Sequence, residues 1–384
     1  MVVFLRMISK LPQQPTSIFS IMSKMAAEFN AINLSQGFPD FDSDPYLIKL
    51  VEDAMRAGYN QYAPMPGDQK LREQIAHKIH LLHGKQYDPN SEITITAGAT
   101  QAIFVALSAI VRAGDEVIIF TPAYDCYEPT VKLFGGNTRA IQLRPPAYRP
   151  DWEEVSRAIS PRTRLIIINS PHNPSGAVFS KEDMEELQRL AVRHDLFVLS
   201  DEVYEHIIFN GIQHQSASRF PDLAARSFIT ASFGKTFHNT GWKTGYCVAP
   251  EKMMSEFRKI HQYNVFCVNH PVQKALAIYL EDADKYLNLS DLYQQKRDAF
   301  LSLISNSRFR ANPSEGTYFQ LLDYSEISDE PDTEFANRLT KEHGLATIPT
   351  SVFNKDREDF KQIRVCFAKT QQTLESAAAV LNAI

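Results

Sequence analysis

Cysteine is scarce in this chain, with four in 384 residues. Cys126, Cys247, Cys267 and Cys366 lie far apart and share no CxxC spacing, which argues against a zinc site and a disulfide framework. They read as buried thiols in a reducing compartment. Long apolar runs are missing too. No segment approaches the roughly 20 residues that cross a bilayer. The opening MVVFLRMISKLPQQP has too short an apolar stretch for a secretory signal. A cytoplasmic protein without membrane contact is the expectation.

Charge of one sign is not in excess. The net charge is −5, and no basic stripe with interleaved aromatics occurs, so no nucleic-acid partner is expected. No HExxH or paired-histidine spacing points to a metal. His77, His80 and His83 recur at intervals of three on a predicted helix. Steps of three drift around a helix and no acidic residue lies between them, so they read as a solvated face. Ser232 is not framed by G-x-S-x-G. The run Thr96–Gln101 lacks the second and third glycines of a dinucleotide fingerprint.

What the chain does have is ordinary enzyme composition, 44% apolar and 22% charged, and a length that suggests two domains. Helical periodicity covers Tyr46–Arg56 and Gln69–His83. Strands then alternate with helices: Glu92–Thr96, the helix Ala99–Val111, Glu116–Phe120, Arg164–Asn169, the helix Lys181–His194, Leu196–Ser200, Ser227–Ser232 and Tyr246–Ala249. Short apolar strands between helices predict an α/β fold with a mostly parallel sheet, buried on both faces. Beyond about residue 275 the pattern changes. It predicts a long helical stretch Lys274–Asn306, a strand Gly316–Leu322, a helix Thr333–His343, a strand Gln362–Phe367 and a last helix Gln371–Ala383. The expected division is an N-terminal arm over 1–40 joined to a smaller α+β domain at 276–384, with a large domain over 41–275.

Ligands in parallel sheets sit at the carboxyl ends of strands. Chemistry-bearing residues collect at those ends. Lys235, in Ser232-Phe233-Gly234-Lys235, is a lysine in small and apolar company. Burial favours its neutral amine, which can form a Schiff base with an aldehyde. Ser232 offers a hydroxyl and Lys243 a cation for a phosphate, although Lys243 also fits a surface lysine. Gly98-Ala99-Thr100 opens a helix, where backbone N–H groups and the Thr100 hydroxyl make either an anion site or a plain small-residue turn. Amine, hydroxyl and cation together suggest pyridoxal phosphate.

Such a cofactor needs a carboxylate beside its ring nitrogen. Asp201 follows an apolar strand and suits that place, or a turn. Tyr204 and Asn173 can donate to the ring's phenolic oxygen. Tyr124 can stack on the ring, or simply fill core. Arg364 is a charge inside an apolar strand and needs an anion, either a substrate carboxylate or an internal acid.

The motifs Asn173-Pro174-Ser175-Gly176, Asp201-Glu202-Val203-Tyr204, Ser232-Phe233-Gly234-Lys235 and the arginine Arg364 resemble those of class I aminotransferases of fold type I, over nearly the whole chain. Asn33–Asp40 (NLSQGFPD), Gln61–Pro64 (QYAP) and Ser232–Gly245 (SFGKTFHNTGWKTG) are most similar to methionine aminotransferases and kynurenine/glutamine transaminases. The resemblance implies a ping-pong transfer of an amino group from methionine or another neutral or aromatic amino acid to a 2-oxo acid. It implies catalytic roles for Lys235, Asp201 and Tyr204. It places Ala99, Thr100, Ser232 and Lys243 on the phosphate, with Tyr62 reaching across a homodimer. Arg364, Asn173 and the Gly37 amide would hold the substrate carboxylate. Ile18 and Phe19, near these motifs, are expected to line the substrate side, with Phe38 and Phe353. Many relatives carry arginine where this chain has Lys243, which keeps the charge but loses the fork. A carbon–sulfur β-lyase on the same fold shares these residues and is the alternative.

Overall fold

Continuous apolar strands can be buried on both faces only if helices cover both sides, and that is the architecture found. The computed structural model describes residues 8–12 and 14–384, so the first seven residues of the expected arm and Gln13 lie outside the description. Seven strands form the main sheet, in the spatial order Ile93–Thr96, Gly245–Val248, Ser227–Ser232, Phe197–Asp201, Thr163–Asn169, Glu116–Thr121, Asn137–Gln142. Gly245–Val248 runs antiparallel to both neighbours, and the other pairings are parallel. The predicted strands are all present, with ends shifted by a residue or so. This is the α/β class with a mostly parallel sheet.

A second sheet pairs Ile348–Pro349 with Gln362–Cys366 and that strand with Phe319–Asp323, all antiparallel. A short strand near the N-terminus, Ile32–Asn33, meets this part of the chain. Ile32 and Asn33 pair in parallel with Leu345 and Ala346. Ahead of them lies a helix, Ile18–Glu28, which buries Met22 and Ala26. Within the range expected as an arm, the described residues thus form a helix and a short strand.

Three further differences have physical reasons. The stretch Lys274–Asn306 is broken into His270–Tyr279, Asp284–Leu287 and Leu289–Leu303. The strand expected from Gly316 starts only at Phe319, because Thr317 takes a left-handed φ of 64°. His83 does not share the solvated face of His77 and His80. Its ring turns inward, 5.8 Å from the His214 ring, and neither ring nitrogen has a partner. Burial, together with His214, lowers the His83 pKa to about 4. Elements that were not anticipated include the polar edge strand Asn137–Gln142, half in solvent, the short helices Tyr127–Leu133 and Trp152–Ala158, and the helix Glu251–Asn264.

All four cysteines are free, and no described helix is long and apolar enough to cross a membrane.

Candidate active site

The parallel strands deliver their carboxyl ends to one rim. Asn169, Asp201 and Ser232 each close a strand there, and the helix Ala99–Ile110 starts three residues after the end of another, Ile93–Thr96. The antiparallel Gly245–Val248 begins at the same rim and brings Lys243 with it. The result is a cavity of about 250 Å³ whose walls include Ala99, Tyr124, Asn173, Asp201, Lys235 and Arg364. Thr100, Tyr204, Ser232, Lys243, Gly37 and Phe19 also line it.

Lys235 sits in a single helical turn, Phe233–Thr236, directly after its strand. Its Nζ donates to the Gly37 carbonyl at 3.0 Å. The Tyr318 hydroxyl donates to the same oxygen at 2.6 Å. Burial, aided by the cations Arg364 and Lys243, lowers the Lys235 pKa to about 8. An amine near that value supplies a useful neutral fraction at neutral pH.

Asp201 is 4% exposed. Burial raises its pKa to about 6, while hydrogen bonds from Tyr127 and the Val203 N–H hold it down. The loop that follows carries Tyr204 and is anchored from behind. Glu205 meets Lys78 at 2.5 Å, and Lys78 donates to Tyr246 at 2.7 Å. Burial pushes the Glu205 carboxyl up, but Lys78 and its hydrogen bond win and hold it well below its usual range. Asn169 ties two walls together. Its amide donates to the Asp201 carbonyl at 2.9 Å, and its oxygen accepts from the Asn173 N–H at 2.8 Å.

Arg364 is 1% exposed, and no described carboxylate forms an ion pair with it. Its Nη1 donates to Asn173 Oδ1 at 2.8 Å and its Nη2 to the Ser35 carbonyl at 2.9 Å. Phe319 lies 3.9 Å from the guanidinium carbon and Phe19 5.2 Å, so two rings clamp the plane. Nε has no partner. The internal-acid alternative for Arg364 is thus not what the fold builds.

The helix start at this rim is equally specific. Gly98 caps its helix with φ 79°, and no side chain caps the first turn. A Cβ on Gly98 would stand 3.3 Å from Lys243 Nζ, so the ammonium lies over the open helix start. Lys243 achieves this from a left-handed φ of 53°.

Four expected residues are elsewhere. Ile18 and Phe353 line an adjoining cleft that Tyr124 also borders, and Phe38 is an exposed ring outside the cavity. Tyr62 is 81% exposed and packs edge-on against Phe266 on the surface, outside this chain's own cavity. Tyr127, Tyr318, Phe319 and Gln36 were missed. Tyr318 and Phe319 fell inside a predicted strand, and Tyr127 stands one helical step from Tyr124, the signal that could have found it.

The family model for class I and II aminotransferases matches residues 30–381. The chain belongs to that family. It is 51% identical to the methionine aminotransferase of Escherichia coli over 97% of each chain. The solved structure of an E. coli protein identified as a methionine aminotransferase superposes with a TM-score of 0.96, at 50% identity, covering 99% of this chain and 100% of that one. The N-succinyldiaminopimelate aminotransferase of Mycobacterium tuberculosis gives 0.95 at 35% identity, over 98% and 100%. A kynurenine–oxoglutarate transaminase of Dictyostelium discoideum is 33% identical over 94% of this chain and 92% of its own.

The protein is a pyridoxal-phosphate-dependent aminotransferase. The residues present fit that cofactor. The cavity holds a buried amine of lowered pKa and a buried carboxylate with one oxygen free of any short bond. It also holds a helix start with a cation above it. The orphaned Arg364 Nε shows that an anion is owed there.

Proposed function

We propose that methionine and other neutral or aromatic amino acids are the donors, with a 2-oxo acid as acceptor. The observation that carries this is the clamp on Arg364. Its two rings, with Phe353 stacked on Phe19 at 5.6 Å, surround the carboxylate site with apolar surface. A thioether or aromatic side chain suits such walls. Asp125, beside Tyr124 in the adjoining cleft, adds a negative charge that disfavours an acidic donor. The resemblance to methionine aminotransferases points the same way, and the β-lyase alternative finds no support among the relatives.

In this reading Asp201 pairs with the ring nitrogen, Tyr204 and Asn173 donate to the phenolic oxygen, and Tyr124 stacks on the ring. Ala99, Thr100, Ser232 and Lys243 hold the phosphate. When bound, the cofactor supplies an electron sink for negative charge at the substrate Cα. Lys235 holds the cofactor between turnovers. Its freed amine, steered by the Gly37 carbonyl, then takes the Cα proton. Arg364 and the Gly37 amide grip the carboxylate, which fixes that Cα–H toward the amine. The proposed division is a cofactor domain over about 41–275 and a smaller one made of the described residues before 41 with those after about 275; the helix His270–Tyr279 spans that second boundary. The four free cysteines support a cytoplasmic setting.

A half-reaction screen tests the donor. Each of the twenty amino acids is mixed with the enzyme without acceptor, and the cofactor's visible band is followed. Methionine and aromatic donors should bleach it at least about tenfold faster than glutamate, the gap expected from ~1.4 kcal/mol of differential binding. A faster reaction with glutamate would overturn the assignment.

We also propose a homodimer in which Tyr62 of one copy completes the phosphate site of the other. Tyr62 and Phe266 are exposed and pack edge-on against each other, an apolar surface pair that a second copy could cover. Sedimentation should show two copies, and Tyr62→Ala should weaken cofactor retention. A monomer with full cofactor affinity would refute this.

A further inference from the structure

Asp201 is held by a buried phenol. The Tyr127 hydroxyl donates to Asp201 Oδ2 at 2.5 Å. Both side chains are buried. The Val203 N–H reaches the other oxygen, Oδ1, only at 3.4 Å. Among the described residues, Tyr127 is therefore the one short side-chain donor to this carboxylate. The Tyr127 ring stands edge-on to Tyr124 at 5.9 Å, in the same core cluster as Val131, Ile167 and Leu199. A ring that stacks and a ring that grips Asp201 thus come from one turn of chain.

We infer that Tyr127 is a positioning residue for the cofactor: its hydroxyl fixes the orientation of Asp201 and keeps the carboxylate ionised, leaving Oδ1 for the ring nitrogen. The inference rests on the assignment of Asp201 to that nitrogen. Its physics is local. A neutral donor favours the charged form of the acid it faces. Burial raises the Tyr127 phenol well above its normal range, as does the charge of Asp201, so the proton stays on Tyr127. The other groups facing Asp201 are Tyr124 and Cys126 from the Tyr127 segment, Glu202 next in the chain, and Lys235. Burial keeps the Cys126 thiol and the Tyr124 phenol neutral. Glu202 is turned to His214 at 2.8 Å. With the Tyr127 hydroxyl removed, burial dominates and Asp201 takes up a proton at higher pH.

Tyr127→Phe keeps the ring and removes only the donor. The test uses holoenzyme brought to the pyridoxamine phosphate form, dialysed at graded pH, with bound cofactor read by absorbance. The wild type should release it as pH falls through about 6, where Asp201 titrates. In Tyr127→Phe that limb should move up by about one pH unit, so that retention is about twofold weaker at pH 7 and about tenfold weaker on the acid side of both limbs. The cofactor's own phosphate titrates nearby, but equally in every variant. Asp201→Asn separates the two layers. If Asp201→Asn leaves retention and its pH limb unchanged, the ring-nitrogen assignment fails. If Asp201→Asn weakens retention but Tyr127→Phe does not move the limb, the Tyr127 role fails alone. Adding Tyr127→Phe to Asp201→Asn should change nothing further. An equal loss on both backgrounds would show that Tyr127 acts by packing and would overturn the inference.

Discussion

Lys235→Ala should reduce turnover by at least ~10³-fold and leave the fold and the cofactor's other contacts in place. Two functions end together: the covalent hold and the amine that moves the Cα proton. General-base catalysis alone is worth about 10²–10⁴-fold. No neighbour can substitute. The Tyr204 phenol is driven far above its normal range by burial, and Arg364 is a fixed cation. Lys243 reaches Gly98, at the phosphate end. The variant should still bind cofactor, because Asp201, Asn173 and the helix start remain. Borohydride should label wild type at Lys235 and leave the variant unlabelled. Near-normal turnover in the variant, or labelling elsewhere in wild type, would sink the assignment.

Arg364→Ala should lower kcat/KM for every amino acid by about 10²–10³-fold. Removing one member of a desolvated, hydrogen-bonded charge pair costs about 2–5 kcal/mol, and each ~1.4 kcal/mol is tenfold. The loss should be shared by all donors, since all present the same carboxylate. Arg364→Lys should recover only part of it. A lysine restores charge, but it cannot keep both Asn173 Oδ1 and the Ser35 carbonyl and still offer a fork. The cofactor's spectrum should not change in either variant. A Michaelis constant for methionine equal to that of wild type would show that the carboxylate is bound elsewhere.

The main sheet was legible because its strands are short, apolar and separated by amphipathic helices. Chemistry was legible because parallel strands put their last residues on one rim, and Asn169, Asp201 and Ser232 stand there. The helix Ile18–Glu28 was not. It buries only Met22 and Ala26, and the strand after it pairs with residues more than three hundred positions away. The edge strand Asn137–Gln142 carries polar side chains because half of it meets solvent, so it shows no apolar run. His83 was misplaced because steps of three on a 3.6-residue period carry the third side chain off the face of the first. The contact of Tyr127 with Asp201 was hidden for another reason: the partner lies 74 residues on, a hydrogen bond across that distance leaves no local pattern, and only the step of three from Tyr124 marks the residue.

Gly37 is the site's joint between the two sheets. Its carbonyl takes both Lys235 and Tyr318, and a Cβ there would stand 2.7 Å from the Phe319 ring. A mutagenesis library meant to broaden the donor range therefore gains nothing from position 37. Any side chain there would displace Phe319, a ring that also clamps Arg364, so amine steering and carboxylate grip would be lost in a single step. Diversity belongs at Ile18 and Asp125, which border the adjoining cleft; Phe353 does too, but it stacks on Phe19 and so supports the grip on Arg364.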